Sequence, residues 1–414
     1  MDRFEHLYTG HAREAQPSAI REICKLAGVK GMRSLAGGWP DPSLFPVEDI
    51  RDLALEVLTQ HPAEALQYGT TEGLVSLREE IINRLERIEG VRARLDELVI
   101  LHGSQQGMDL IARVFVDPGD IVLVALPTYF GATGCVTARM GEAIGVPEDE
   151  NGLDTDVLAS EVARLHASGR VVKGVYVIPN FSNPSGVVLS LDRRKALLHL
   201  ASKYDFLIFE DDPYGELRFE GSPLPSLKSM DNENRVIHIR SFSKTFTPGF
   251  RLAWLHGESA VVRKLVVAKQ FADACTNTFG QYLACEFIRR GMLDAAIARN
   301  NNHYRHKRDL MISALNEHFP KEIRYNHPKG GFFIFVHLPD GMDAMELLTE
   351  AMKQQVVFVA GCQFYVDGQG KNTLRLSYSQ ASETAIKEAV EGLGAILKSR
   401  LHPVVSALPQ VDAG

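Results

Sequence analysis

Cysteine is scarce in this chain. Only Cys24, Cys135, Cys275, Cys285 and Cys362 occur among 414 residues. Their number is odd, they are scattered, and no C-x-x-C pair is present, so neither a disulfide framework nor a zinc site is expected. Each reads as a small buried hydrophobe. Long apolar runs are missing too: none approaches the roughly 20 residues that span a bilayer. The N-terminal stretch MDRFEHLYTGHAREAQPSAI is polar and lacks a hydrophobic signal core. No membrane association is expected, and the expected location is the cytoplasm. Basic charge is not in excess. The 45 Lys and Arg are outnumbered by 52 Asp and Glu, a formal net charge of −7, which argues against a general nucleic-acid binder. Low-complexity blocks and short repeats are absent.

What remains is ordinary for a globular enzyme, with 45% hydrophobic and 23% charged residues. The length exceeds one small core, so two domains, or one large domain with a satellite, are expected. Short apolar runs alternate with amphipathic ones. ELVILHG, DIVLVALP, VKGVYVIPN, FLIFEDD and RVIHIRS predict strands. SQQGMDLIARVF predicts a helix with Met108, Ile111, Ala112 and Phe115 on one face. SLDRRKALLHLASKYD predicts another, with Leu197, Leu198 and Ala201 at helical spacing. Continuous apolar strands between such helices predict an α/β fold, its mostly parallel sheet covered on both faces. From about Asn300 the texture changes. A long helix (NNHYRHKRDLMISALNEHF), two strands (GGFFIFVHLP and TLRLSYS) and a last helix (SETAIKEAVEGLGAILKSR) predict a smaller α+β domain. The expected division is 1–45 as an N-terminal segment packing with the small domain and the active site, 46–300 as the large domain, 301–403 as the small domain, and 404–414 as a flexible tail.

In such sheets ligands sit at the carboxyl ends of the strands, so the polar residues found there carry the argument. GSQQG (Gly103–Gly107) opens a helix after a strand, and its free amides suit a phosphate; a plain glycine turn is the bland alternative. PTYFG puts Tyr129 past the next strand, where an aromatic could stack on a planar ring or simply pack. In NFSNPSG, Asn183 is held extended by Pro184 with its amide free for a ligand, unless the pair is only a turn. FEDDPYGEL ends an apolar strand with Glu210, Asp211 and Asp212. A carboxylate there is costly unless it meets a cation. A metal is conceivable, but no histidine accompanies the cluster, and a protonated heterocycle nitrogen would also serve.

SFSKTFTPGFRLAW (Ser241–Trp254) places Lys244 just past a strand, among residues that cannot solvate its charge. Ser241, Ser243 and Arg251 beside it can hold a phosphate dianion. An amine near cationic groups in a partly desolvated site has a lowered pKa and can attack a carbonyl. Each signal alone is modest. Together they supply a phosphate cradle, a stacking ring, a donor to a phenolic oxygen, an anion for a pyridinium and a Schiff-base lysine. Pyridoxal 5′-phosphate requires that set.

With these motifs the chain resembles the class I aminotransferases of fold type I, in the branch of the 2-aminoadipate and kynurenine aminotransferases. The resemblance covers nearly the whole chain, through PSAIREI, SLAGGWPDPSLFP, QYGTTEG, GSQQG, NPSG, EDDPY, SFSKTFTPGFR and LRLSYS. It implies a mostly parallel, seven-stranded-type sheet between helices, plus the smaller α+β domain. It implies that Lys244 forms the Schiff base, Asp211 pairs with the pyridinium nitrogen, and Tyr214 and Asn183 bond the phenolic oxygen. Tyr129 would stack on the ring. Ser104, Gln105, Ser241, Ser243 and Arg251 would serve the phosphate, with Tyr68 reaching it from a second subunit. Arg375 would clamp the substrate carboxylate, a task for a planar fork, helped by the Gly38 backbone. Phe4, Tyr8, Ile20, Arg21 and Trp39 fall in the segment that lines the substrate pocket in relatives. Two departures, Trp39 after the paired glycines and VAGCQFY in the late loop, fall near that pocket.

The implied reaction is ping-pong transamination from an L-amino acid to a 2-oxo acid, with Lys244 as base and then acid. An aromatic or long aliphatic donor is the first expectation, and 2-aminoadipate or glutamate the second, with 2-oxoglutarate as acceptor. A decarboxylase or β-eliminating lyase would need the same cofactor set. A non-catalytic regulator would carry a DNA-binding module ahead of this fold, and only about 35 residues precede SLAGGWP. A homodimer with shared sites is expected.

Overall fold

The structure, a computed structural model, describes residues 3–14, 19–25, 29 and 31–401. The segment 404–414, expected to be a flexible tail, lies outside them. Its main sheet has eight strands in the order Leu98–His102, Leu252–His256, Val236–Ser241, Leu207–Asp211, Val172–Val177, Ile121–Leu126, Glu142–Asp149 and Gly152–Leu153. The middle five pairings include four parallel ones, from Val236–Ser241 through to Glu142–Asp149. The Leu252–His256 strand runs antiparallel to both of its neighbours. The eighth strand has only two residues and closes a short antiparallel pairing at the far edge.

The apolar runs form these strands because both faces of the sheet are covered. Ile121–Leu126 is buried along its whole length, as expected for a parallel strand between helical layers. Helix Ser104–Phe115 turns Met108, Ile111 and Ala112 inward as its periodicity predicts, and Leu110 is buried as well. Helix Leu191–Tyr204 buries Leu197 and Ala201, while Leu198 is only half-buried. It also buries Arg194, whose guanidinium donates to the carbonyls of Leu189, Pro179 and Pro225 and to Asn180 Oδ1. Four acceptors offset the cost of removing that charge from water.

A second, antiparallel sheet joins Arg324–Tyr325, Phe333–His337, Thr373–Ser377 and Val359–Ala360. Helices Met292–His318, Ala344–Lys353 and Glu383–Leu401 accompany it. Residue 300 lies inside the first of these, so the long helix begins earlier than the sequence pattern suggests. Arg33–Ser34 pairs in parallel with Val356–Val357, tying the N-terminal segment to this smaller unit. Asp41 strengthens the tie. It accepts from Lys307 Nζ at 2.9 Å and lies 3.0 Å from His303 Nε2, both on the long helix.

Candidate active site

Four parallel strands deliver polar residues to one end of the main sheet, and the small sheet closes over that end. Between them lies a cleft of about 570 Å³, within the range of small-molecule sites. Arg21, Gly38, Trp39, Ser104, Gln105, Tyr129, Asn183, Asp211, Tyr214, Ser241, Ser243, Lys244, Arg251 and Arg375 all line it. Of the residues singled out from the sequence, Tyr68 does not line this cleft; it is 85% exposed. Phe4 and Tyr8 are also exposed and away from the lining, whereas Ile20 is buried against it.

Lys244 sits in the turn after strand Val236–Ser241, and its Nζ donates to the Gly38 carbonyl at 2.9 Å. Gly38 has to be glycine at this contact: a Cβ would lie 2.6 Å from Phe333 Cζ. Burial, and then the guanidinium groups of Arg251 and Arg375, pull the Lys244 amine down to about 8. Its Nζ lies 6.0 Å from the Tyr214 ring centre and 5.7 Å from that of Phe332. The amine is therefore buried among rings, with one carbonyl acceptor and a weakened hold on its proton.

Asp211 ends strand Leu207–Asp211. Tyr176, on the neighbouring strand, donates its hydroxyl to Asp211 Oδ2 at 2.8 Å. Asp211 Oδ1 is buried and has no partner. Burial pushes the carboxyl up to about 7, against the pull of Tyr176 and Lys244. Strand alternation turns Glu210 and Asp212 to the other face. Glu210 accepts from the backbone N–H groups of Leu227 and Lys228, and Asp212 accepts from Arg240 at 3.0 Å. The three carboxylates thus do not converge. Among the described residues no group of His, Cys, Asp and Glu is placed to hold a metal ion.

Arg375 comes from the inner strand Thr373–Ser377 of the small sheet. It donates to Asn183 Oδ1 at 2.6 Å and to the Ala36 carbonyl. Its guanidinium lies 4.2 Å from the Phe333 ring centre and 4.9 Å from that of Phe364, close enough for attraction to both faces. Phe364 belongs to the VAGCQFY loop. Its carbonyl also accepts from Thr128 N–H at 2.9 Å, so the unusual loop steadies both Arg375 and the approach to Tyr129.

The opposite corner is cationic. Gly103 precedes helix Ser104–Phe115 with φ at 78°, and a Cβ there would lie 2.3 Å from Arg251 Nη2. Arg251 itself has φ at 53°, a left-handed conformation uncommon for a bulky residue and often found at functional sites. Its Nη1 reaches Ser243 Oγ at 3.4 Å, and Ser243 N–H donates to Ser241 Oγ at 3.1 Å. The Gln105 side chain is engaged elsewhere. It donates to the Gly131 carbonyl at 2.8 Å and accepts from the Tyr129 hydroxyl at 3.2 Å. It thus fixes the Tyr129 ring, and only its backbone faces an anion at the helix start.

Sequence reasoning did not single out Tyr176, Phe130, Ile178, Phe333 or Lys25. The first four sit in apolar or aromatic runs whose periodicity is fully explained by packing. Lys25 is paired with Glu22 at 2.6 Å on the helix Ala19–Lys25, which reads as a solvated helix face.

The donor set fits pyridoxal 5′-phosphate. A buried carboxylate oxygen without a partner calls for a cationic N–H. A lysine with a lowered pKa suits an aldehyde. An arginine, two serines and a helix start suit a phosphate dianion. Fold and site together define a fold type I, pyridoxal-phosphate-dependent enzyme. The family model described as aminotransferase class I and II matches residues 38–393. The aromatic-amino-acid aminotransferase 1 of Thermococcus litoralis is 41% identical, over 96% of this chain and 95% of that one. The 2-aminoadipate transaminase of Thermus thermophilus is 38% identical, over 94% of this chain and 96% of that one. A solved kynurenine aminotransferase of Pyrococcus horikoshii, in complex with PMP, superposes with a TM-score of 0.93 at 42% identity, over 97% of this chain and 99% of that one. This chain belongs to the class I and II aminotransferases, and it catalyses pyridoxal-phosphate-dependent transamination.

Proposed function

We propose that the protein moves the amino group of an aromatic L-amino acid to a 2-oxo acid, with 2-oxoglutarate as the acceptor. The observation that carries the substrate class is the wall of the cleft, where Ile20, Trp39, Phe130 and Ile178 contribute apolar and aromatic lining to the same space as Arg375. Two similar proteins bear names of the same kind, an aromatic-amino-acid and a kynurenine aminotransferase. Arg21 at the rim supports a second reading, an acidic donor such as 2-aminoadipate, and one relative is named for that substrate. The two readings separate in a panel of amino donors compared by kcat/KM. A preference for phenylalanine, tyrosine or kynurenine supports the first. A preference for 2-aminoadipate or glutamate overturns it.

When bound, the cofactor supplies an aldehyde that condenses with amines and a protonated ring that accepts an electron pair. Lys244 Nζ holds and moves the proton: as free amine it takes the Cα proton of the amino acid, and as ammonium it gives the proton back. Asp211 Oδ1 would keep the ring nitrogen protonated. Tyr214 and the Asn183 amide would bond the phenolic oxygen, and Tyr129 would face the ring. Arg251, Ser241, Ser243 and the amides of Ser104 and Gln105 would hold the phosphate. Arg375 and the Gly38 backbone hold the substrate carboxylate. Borohydride should bleach the yellow enzyme and fix the label on Lys244; a label elsewhere would overturn the assignment.

The partner in this reading is a second copy of the chain. Tyr68, Leu66 and Phe271 are large apolar side chains at least 70% exposed, surface that a second copy would cover. Tyr68 then completes the phosphate site in trans. The domain division at residues 45 and 300 and a cytoplasmic location belong to the same reading. No helix among the described residues is long and apolar enough to cross a membrane.

A further inference from the structure

Asp211 carries two carboxylate oxygens in unequal settings. Oδ2 accepts the Tyr176 hydroxyl at 2.8 Å, while Oδ1 is buried without a partner. Asp211 and Tyr176 are 4% and 1% exposed, so no bulk water shares either group. Tyr176 stands on strand Val172–Val177, opposite Phe209 in the register with Leu207–Asp211. Its hydroxyl reaches across the sheet to a carboxylate two residues further along. Gly174–Ile178, the buried part of this run, is otherwise apolar, and a tyrosine there is not needed for packing, which a phenylalanine would satisfy.

We propose that Tyr176 is a positioning residue for the cofactor: its hydroxyl anchors Asp211 Oδ2, fixes the carboxylate plane, and leaves Oδ1 as the anionic partner of the ring nitrogen. The inference rests on the role given to Asp211 above. A hydrogen bond donated to a carboxylate favours its charged form. The bond is stronger in a dry interior than in water. Burial works against that charge here, pushing the Asp211 carboxyl up to about 7 even with the Tyr176 bond in place. The other titratable groups that influence this carboxyl are Asp212, which raises it, and Lys244, which lowers it. Without the hydroxyl, the proton shared between Asp211 and the ring nitrogen shifts toward Asp211. The Tyr176 phenol is itself held well above its usual range by burial and by Asp211, so it stays a donor at every working pH.

The test is a pH titration of the holoenzyme loaded with cofactor labelled with 15N at the ring nitrogen, together with the cofactor dissociation constant. Tyr176→Phe should lower the pH at which the ring-nitrogen signal turns neutral by about one unit or more, and weaken cofactor binding about tenfold. A midpoint and an affinity both unchanged would overturn the proposal. A weaker affinity with an unchanged midpoint would do the same, since it would mean the hydroxyl acts only through packing. If the phenylalanine variant does not fold, a ring-fluorinated tyrosine at position 176 gives the answer. It has the same shape and is a stronger donor, so the midpoint should rise, and an unmoved midpoint counts against the idea. Asp211→Asn is titrated in parallel. If it leaves the signal untouched, the role given to Asp211 falls and Tyr176 with it; if it moves the signal and Tyr176→Phe does not, Tyr176 alone is misassigned.

Discussion

Arg375 Nη1 donates to Asn183 Oδ1 at 2.6 Å, a bond that ties an inner strand of the small sheet to the loop following a strand of the main sheet. Asn183 therefore faces two ways. Its carbonyl oxygen steadies the residue proposed to grip the substrate, while its amide remains for the cofactor. Because Arg375 is 3% exposed and lies against two aromatic rings, its geometry is fixed before any substrate arrives.

Arg375→Lys should therefore lose more than charge. Lysine keeps the cation but cannot donate two parallel bonds to a carboxylate or lie flat between Phe333 and Phe364. We expect kcat/KM to fall on the order of 100-fold, most of it through KM for both the amino donor and the 2-oxo acid. Steady-state kinetics with each substrate varied in turn decide the matter. A loss confined to kcat would move Arg375 from binding to chemistry.

The lowered pKa of Lys244 predicts how fast apoenzyme takes up its cofactor. Only the free amine can attack an aldehyde, so the rate follows the unprotonated fraction. With the amine at about 8, the rate should rise tenfold per pH unit below that value and level off above it. An ordinary lysine would keep rising toward pH 10. Absorbance stopped-flow from pH 6 to 10 distinguishes the two. Arg251→Gln removes a cation that depresses the amine, so its plateau should begin at higher pH.

The strand ends were legible in the sequence because polar residues stand out against apolar runs. Lys244, Asp211, Asn183 and Tyr129 each interrupt such a run, and all four line one cleft. Tyr176 could not be found that way, since an aromatic inside an apolar strand looks like core. Two strands were also hidden. Glu142–Asp149 contains Gly145 and Pro147 and is half-exposed, a composition that reads as loop but suits a strand near the sheet edge. Leu252–His256 begins within the stretch that carries Lys244, where the catalytic signal masks the start of a short buried strand. With the five strands read from the sequence these make seven, and the two-residue edge strand Gly152–Leu153, too short to leave a pattern, is the eighth. Gln105, the first glutamine of GSQQG, reads as a phosphate ligand by position, yet its side-chain amide is spent on Gly131 and Tyr129, a contact between elements that no local pattern encodes.

Asp41 makes a prediction about stability. Burial would raise its pKa, but bonds from Lys307 and Ser43 outweigh that and hold it at about 2. Its folded pKa lies below its unfolded one, so its contribution is present above the ordinary carboxylate range near 4 and is lost as pH falls toward 2. Asp41→Asn should cost about 2 kcal/mol at neutral pH. That is less than a typical broken buried pair, because Lys307 keeps its bond to the Ser379 carbonyl. Urea melts should also show a shallower loss of stability between pH 4 and 3 in the variant. Equal slopes would show that Asp41 is not titrating against Lys307.

Tyr68 provides the test of the shared site. It is 85% exposed in the single chain and its turn, Gln67–Gly73, does not line the cleft. If a second copy brings it there, Tyr68→Ala and Lys244→Ala should each be nearly inactive alone. Refolding them together in equal amounts makes about half of the dimers hybrid, and each hybrid has one site with both residues intact. Activity should then recover to about a quarter of the native value, and the recovered fraction should vary with the mixing ratio as a binomial. A Tyr68→Ala enzyme with native activity, or a mixture no more active than its parts, would mean that each cleft works with the residues of its own chain.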